Sequence, residues 1–153
     1  MPPFPPKDPQ LEARVRDSFS RQPLMSLINA RLGRVEPGRV EIELPFRADL
    51  TQQHGYLHAG ITSAIADSAG GYAGYSLFPA GSSVLTVEFK INLVAPASGE
   101  RFLAVGEVLR PGRTLTVCSL EVLGIRGDQR STIAVGQQTL ICLENQPDAP
   151  KQQ

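Results

Sequence analysis

The chain has 153 residues, with Lys and Arg totalling 15 and Asp and Glu totalling 15. This length fits one domain with a sizeable core, and the charge balance gives no reason to expect nucleic acid or an anionic membrane as partner. No apolar run approaches the roughly 18 residues of a membrane span, and the start of the chain lacks the apolar core of a signal peptide. We therefore expect a cytoplasmic protein that binds neither nucleic acid nor membrane.

The two cysteines, Cys118 and Cys142, both lie in strand-like apolar runs. Neither has another Cys or His nearby in the sequence, so they indicate neither a zinc site nor a disulfide framework. We expect them to be reduced core residues. The sequence indicates no metal site and no cofactor.

The first 22 residues predict an N-terminal arm followed by a short helix. Five prolines lie among the first nine residues, and Leu11, Val15 and Phe19 then recur at helical spacing. Residues 23–32 predict a helical turn that leads into a strand. Apolar and charged residues next alternate over 39–44, which predicts a half-buried strand.

The stretch 52–77 predicts a loop with two histidines and then a helix that begins near Gly60 and carries a single carboxylate, Asp67. At 100° per residue, one face holds Asp67 and small residues, and the opposite face is apolar. The first face comprises Gly60, Ser63, Gly70, Gly71 and Gly74. The apolar face, which we expect to contact the core, comprises Ile61, Ala64, Ile65, Ala69 and Tyr72.

Asp67 has two interpretations, a solvent-exposed acid on a buried helix or a catalytic carboxylate that faces a cleft. The free N–H groups of Ala59 and Gly60 at the helix N-terminus would stabilise negative charge on an oxygen. Ala59 and Asp67 are about 12 Å apart along the helix, too far to act on the same carbonyl. Two copies of the helix packed antiparallel could combine them. The catalytic interpretation therefore predicts a dimer with two shared sites.

Four strands follow the helix. Residues 85, 87, 89, 91 and 93 are apolar and alternate with polar residues, which is the clearest strand pattern in the sequence. Strand-like runs continue over 101–109, 114–125 and 131–143, separated by turn residues. Strands that follow one long helix predict an α+β fold in which an antiparallel sheet wraps the helix. The predicted division is an arm and helix over 1–22, a domain over 23–143 and a disordered tail over 144–153.

The order of these motifs resembles the hotdog-fold acyl-CoA thioesterases of the PaaI type. In that family an Asn or Gln comes seven residues before the first Gly of an His-Gly-Gly motif, and an Asp or Glu follows eight residues later. Gln52, His58-Ala59-Gly60 and Asp67 keep both spacings. The resemblance covers about residues 23–143 and is carried most strongly by three segments, 52–77, 84–97 and 112–122.

The resemblance implies catalytic roles for four residues. The thioester carbonyl would accept hydrogen bonds from the Ala59 N–H and the Gln52 amide. The partner's Asp67 would act as general base on water or attack as nucleophile. Thr86 stands where some relatives carry a water-positioning Ser or Thr.

Two departures from the family pattern also concern these positions. Ala59 replaces the usual glycine, which tightens the approach of the substrate. Gly71 stands where some relatives carry a Ser or Thr that holds water, which leaves this task to Thr86 or Ser68.

Further candidate residues would contact substrate. We expect His54 to lie at the cleft mouth. We expect His58 to support the loop, and the alternative is that His58 is catalytic. Two arginines, Arg110 and Arg113, could meet CoA phosphates or could be solvated surface residues. The full set of predicted substrate-binding residues is His54, His58, Gly60, Ser68, Arg110 and Arg113.

The function implied by the resemblance is hydrolysis of a medium- or long-chain or aromatic acyl-CoA to the free acid and CoA, by a dimer or dimer of dimers. Two alternatives belong to other classes. One is a hotdog hydratase or dehydratase, which the lack of a His/acid pair at the needed spacing disfavours. The other is a non-catalytic acyl-CoA-binding or sensor protein.

Overall fold

The chain folds as one antiparallel sheet packed on a long helix. The structure is a computed structural model and describes residues 4–153. The helices are α1 (Leu11–Ser20), α2 (Pro23–Leu27) and α3 (Ala59–Tyr75). The strands are β1 (Arg31–Glu36), β2 (Arg39–Pro45), β3 (Ser83–Leu93), β4 (Arg101–Arg110), β5 (Leu115–Arg126) and β6 (Gln129–Leu143), and a short 3-10 turn spans Ala48–Leu50.

The six strands form one sheet in the order β1-β2-β4-β5-β6-β3, and every neighbouring pair is antiparallel. Helix α3 packs against β2 to β6 on one face of this sheet. The arrangement confirms the α+β prediction of a sheet wrapped around a central helix. The described residues contain no helix that is both long enough and apolar enough to cross a membrane.

The sheet covers more of α3 than the sequence indicated. Ile65, Ala69 and Tyr72 are buried, as predicted, but Gly70 and Gly74 are buried too. A Cβ at Gly70 would overlap the side chain of Gln138, and one at Gly74 would overlap Leu140.

The prediction that these two glycines share an open face with Asp67 was therefore wrong. A helical wheel orders the residues around the axis but does not tell how wide an arc the sheet covers. The less buried stripe is narrow, and it holds Gly60, Ser63, Ala64, Asp67 and Gly71.

Strand β3 forms where predicted, and several of its apolar residues are exposed. It lies at one end of the sheet and pairs only with β6 among the described strands. Leu85 is 58% exposed, Val87 57% and Phe89 43%. A bulge between Thr86 and Glu88 inserts one extra residue, so the inward side changes from even-numbered to odd-numbered positions along the strand.

Helix α1 is anchored on the C-terminal end of α3 by Arg14. Its guanidinium donates to the carbonyl oxygens of Phe78 at 2.8 Å, Pro79 at 3.1 Å and Tyr75 at 3.3 Å. It also lies 4.5 Å from the centre of the Tyr75 ring and 3.1 Å from the Asp8 carboxylate. A cation at a helix C-terminus compensates the carbonyl dipoles there. The segment around Asp8 is therefore held against the domain.

Replacing Arg14 with methionine is expected to lower the free energy of unfolding by about 2–3 kcal/mol, because the Asp8 charge and the carbonyls lose their partner. Urea unfolding followed by circular dichroism measures this. The matched control is Arg16→Met on the exposed side of α1, where an i,i+4 pair with Glu12 is lost at a cost below about 0.5 kcal/mol. Equal losses in the two variants would contradict the anchoring role of Arg14.

Candidate active site

The N-terminus of α3 is shaped by His58, the residue before the helix. The His58 Nδ1 accepts a hydrogen bond from the Gly60 N–H at 2.8 Å, so the imidazole caps the helix. The expectation that the N–H groups of both Ala59 and Gly60 are free was wrong for Gly60. The Ala59 N–H has no acceptor within residues 4–153. One donor, not two, is thus available at this helix end.

Gln52 lies beside this donor in a loop that folds back on itself. Its backbone N–H donates to the Tyr56 carbonyl at 2.9 Å, and its side-chain Oε1 accepts from the His54 N–H. The amide Nε2 has no hydrogen-bond acceptor within residues 4–153. Gln52 and Ala59 line a cleft of about 470 Å³, which we call the amide cleft. Its other lining residues are His54, Tyr56, Leu57, Thr62, Leu93, Val94, Ala95, Pro96, Ala97 and Ile133.

Asp67 lies two turns along α3 and is half-buried. Its Oδ1 accepts hydrogen bonds from the Thr86 hydroxyl at 2.7 Å and from the Gln138 amide. Its Oδ2 has no donor among the residues that the structure describes. One oxygen of the carboxylate is therefore held in place while the other is open. The bulge in β3 makes this possible, because it sets Thr86 on the helix side of the strand.

A second cleft of about 350 Å³, which we call the acid cleft, surrounds this carboxylate. Ser68 lines it and donates from Oγ to the Gln22 Oε1 at 3.0 Å. Tyr72 forms its far wall, with its hydroxyl 3.2 Å from the Ser18 hydroxyl. Burial is the main cause that raises the pKa of the Tyr72 phenol, so this hydroxyl stays protonated and can donate. The other lining residues are Ser18, Gln22, Gly71, Val84, Leu85, Thr86 and Asp148.

The two clefts share no lining residue, although α3 contributes to both. The structure brings Gln52, His54 and Ala59 together in one, and Asp67, Ser68 and Thr86 together in the other. Arg110 and Arg113 line neither cleft and lie at the two ends of the β4–β5 turn. Neither arginine has an ion-pair partner within residues 4–153.

Gln138 is the residue of this site that the sequence prediction missed. It is fully buried on β6, and its side chain faces the same side of the sheet as those of Leu140 and Cys142. The signal that could have identified it is a polar residue at one of the alternate strand positions that are otherwise apolar and face the core. The wall of the acid cleft from Ser18 and Gln22 was also missed, because these two residues precede α3 by about 40 residues and share no motif with it.

Nucleophilic chemistry through cysteine is not supported by the geometry. Burial raises the pKa of the Cys118 thiol to about 12, so it remains protonated near neutral pH. Cys142 is buried as well, and the prediction of reduced core cysteines agrees with both positions. Within residues 4–153 there is no cluster of three or more His, Cys, Asp or Glu side chains that could hold a metal ion.

Comparison with known proteins points to one family. Residues 54–129 match the family model described as the thioesterase superfamily. A crystal structure of a thioesterase family protein from Silicibacter pomeroyi is 49% identical, with a TM-score of 0.86, and the match covers 88% of this chain and 98% of that one. A proofreading thioesterase, EntH of Klebsiella pneumoniae, is 28% identical over 107 residues, 70% of this chain and 78% of EntH.

Proteins of lower sequence identity have the same fold. The PaaI protein of E. coli, from the phenylacetic acid degradation operon, is 16% identical and has a TM-score of 0.81, with 90% of this chain and 96% of that chain covered. The fold and the family match define a hotdog-fold enzyme of the thioester hydrolase class. The chain belongs to the thioesterase superfamily, and the resemblance seen in its sequence is confirmed.

Two variants of His58 distinguish a capping role of its imidazole from a catalytic role. His58→Asn is expected to keep the cap, since Asn is a good N-cap residue, and to keep thioester hydrolysis near the wild-type rate. His58→Ala is expected to lose about 1 kcal/mol of stability. Urea unfolding and steady-state kinetics on both variants measure this. A large loss of kcat in His58→Asn without loss of stability would instead assign acid–base chemistry to the imidazole.

Proposed function

We propose that this enzyme hydrolyses the thioester of a medium- or long-chain or aromatic acyl-CoA to the free acid and CoA. One observation carries the proposal: the Asp67 carboxylate has its Oδ1 held by two donors and its Oδ2 open to a cleft. A carboxylate oriented in this way is suited to removing a proton from water or to attacking a carbonyl carbon. The 28% identity to a proofreading thioesterase also supports thioester chemistry.

The reaction needs an oxyanion donor as well as a base. When water adds to the thioester carbon, its proton passes to Asp67 and negative charge develops on the carbonyl oxygen. The Ala59 N–H at the helix N-terminus and the Gln52 Nε2 would hold that oxygen. The C–S bond then breaks, the leaving sulfur takes the proton that Asp67 accepted from water, and CoA is released as the thiol together with the acid. If Asp67 attacks instead, the same donors serve the anhydride-forming step.

The Ala59 N–H and Asp67 lie about 12 Å apart along one helix, so the proposed site needs two chains. Strand β3 is the edge that would join them. It leaves one row of backbone groups unpaired among the described residues, and its apolar side chains Leu85, Val87 and Leu93 are more than half exposed. An exposed apolar edge strand is a template for pairing with a second chain. A two-fold axis makes such pairing antiparallel.

Antiparallel pairing through β3 would bring the acid cleft of one chain next to the amide cleft of the other. Thr86, with the acid cleft, lies near the start of β3, whereas Leu93, with the amide cleft, lies at its end. In an antiparallel pair the start of one strand lies beside the end of the other. The acid cleft of one chain would thus adjoin the amide cleft of its partner. Each dimer would hold two composite sites, related by the two-fold axis.

The remaining substrate contacts follow from this assembly. His54 lines the amide cleft, and Gly60 and His58 lie at the start of α3, where all three would contact the substrate. Ser68 and Thr86 would hold the attacking water in the acid cleft. Arg110 and Arg113, which pair with no acid among the described residues, would meet the CoA phosphates outside the clefts. A dimer of dimers in the cytoplasm, with a hotdog domain over 23–143, completes the proposal.

Asp67→Asn is expected to lower kcat by about 10³-fold or more, because the amide cannot accept a proton from water. Wild type and variant are assayed for thiol release on short, medium, long and aromatic acyl-CoAs. Asp128→Asn makes the same chemical change in the exposed β5–β6 turn and should leave kcat unchanged. If wild type hydrolyses none of the panel yet binds CoA, the protein is an acyl-CoA-binding module and the proposal fails.

The composite site predicts complementation between two inactive chains. Gln52→Ala should lower kcat by about 100-fold, from loss of an oxyanion donor. When it is co-refolded with Asp67→Asn, a mixed dimer has one intact site and one that lacks both residues. Random mixing should therefore restore about a quarter of wild-type activity. Sites built within one chain would give no recovery, and light scattering that shows a stable monomer would exclude the shared site.

A further inference from the structure

A fully buried glutamine, Gln138, lies beneath the candidate catalytic carboxylate. Its strand β6 pairs on both sides, with Gln138 opposite Cys118 of β5 and Phe89 of β3. The inward positions around it on β6 carry no other polar side chain, and Leu140, the next inward residue, is fully buried. An apolar residue would suit this position better, because burying an amide costs free energy unless its groups are hydrogen-bonded. Its presence needs a specific reason.

The contacts of its amide group supply one. The Gln138 Nε2 donates to the Asp67 Oδ1, to the Thr86 Oγ1 at 3.0 Å and to the Asp67 carbonyl oxygen at 3.1 Å. The Thr86 hydroxyl itself donates to the same Asp67 Oδ1 at 2.7 Å. One amide therefore ties together α3, β3 and β6 at the carboxylate. Charge-assisted hydrogen bonds of this kind are the stronger ones and fix the acceptor in one orientation.

The oxygen of the Gln138 amide lacks the hydrogen bonds that its nitrogen makes. The Gln138 Oε1 is buried and has no hydrogen-bond donor within residues 4–153. Buried polar atoms without partners are uncommon and destabilise the fold. The side chain is thus maintained at a cost to stability, at the one place where its Nε2 reaches Asp67.

The helix is also fitted to this side chain. A Cβ at Gly70 would overlap the Gln138 Oε1 and would lie 2.5 Å from the Leu120 Cδ2. Because Gly70 has no side chain, the carboxamide can lie against the helix and reach Asp67 one turn before it. The glycine that the helical wheel placed beside Asp67 therefore serves the sheet side of the helix.

We propose that Gln138 is a positioning residue for catalysis, which holds the Asp67 carboxylate so that Oδ2 faces the substrate. The inference rests on the proposed role of Asp67. With Thr86, the amide stabilises the ionised carboxylate and prevents its rotation toward the helix. Gln138 itself touches neither cleft, since it lines neither of them.

The decisive variant is Gln138→Met, which keeps volume and removes the amide. We expect kcat to fall about 10- to 100-fold, as for loss of a charge-assisted hydrogen bond in the transition state, with KM changed less than about two-fold. We expect Tm to stay the same or rise, because the uncompensated Oε1 is gone. A merely structural glutamine would give the opposite pattern, a lower Tm with unchanged kcat, and would overturn the proposal.

Two glycine variants form a matched pair. Gly70→Ala forces Gln138 away from Asp67, whereas Gly74→Ala introduces a similar overlap with Leu140, one turn further on. The first should lower kcat strongly, and the second should leave kcat within about two-fold while changing only stability. Equal kcat in the two variants would contradict positioning through Gln138. Adding Thr86→Val to Gln138→Met should cost less than the product of the single losses, because both donors hold the same oxygen.

Asp67→Asn separates failure of this inference from failure of the proposed function. If Asp67→Asn is inactive and Gln138→Met keeps the wild-type kcat, only the positioning role is wrong. If Asp67→Asn keeps full activity, the proposed base is wrong. Crystal structures of wild type and Gln138→Met give a readout that needs no turnover. A rotated Asp67 carboxylate in the variant supports positioning, and an unchanged one overturns it.

Discussion

The close approach of α3 to the sheet is the constraint on which this structure depends. Three glycines permit it: Gly70 and Gly74 on the helix and Gly106 on β4. A Cβ at Gly106 would overlap the helix backbone at Ala69, so strand and helix meet there without side chains between them. A glycine inside a helix costs roughly 1 kcal/mol against alanine. The packing of α3 along the sheet, where β2 to β6 all contact it, offsets that cost.

The same close packing determines where chemistry is possible. With most of the helix covered, only its N-terminus and a narrow stripe around Asp67 remain accessible. These two places open into separate clefts, and β3 runs from one to the other. The bulge in β3 aims Thr86 at the carboxylate, and the buried Gln138 approaches it from β6. The candidate base is thus held by the sheet, and the candidate oxyanion donor by the loop before the helix.

Much of this was predictable from local patterns. The spacing of Gln52, Ala59 and Asp67 indicated the family, which the comparisons confirm, and strand-like runs located β2 to β6 near their observed bounds. The differences between pattern and structure have physical causes. Edge position and a bulge expose apolar residues of β3, and alternation in the sequence indicates neither. The cap on the Gly60 N–H depends on the side-chain orientation of His58, which spacing does not determine.

The helix with one carboxylate, the donor at its start and the separation between them follow from the sequence alone, because helical rise sets distances along one element. Those facts already required a second chain if both groups act on one carbonyl. The tertiary structure sets which oxygen of Asp67 is open, since that depends on donors from β3 and β6 that are distant in sequence. It also decided that Gly70 accommodates Gln138 and not a neighbouring helix, because contacts across the core are set by packing rather than by spacing along the chain.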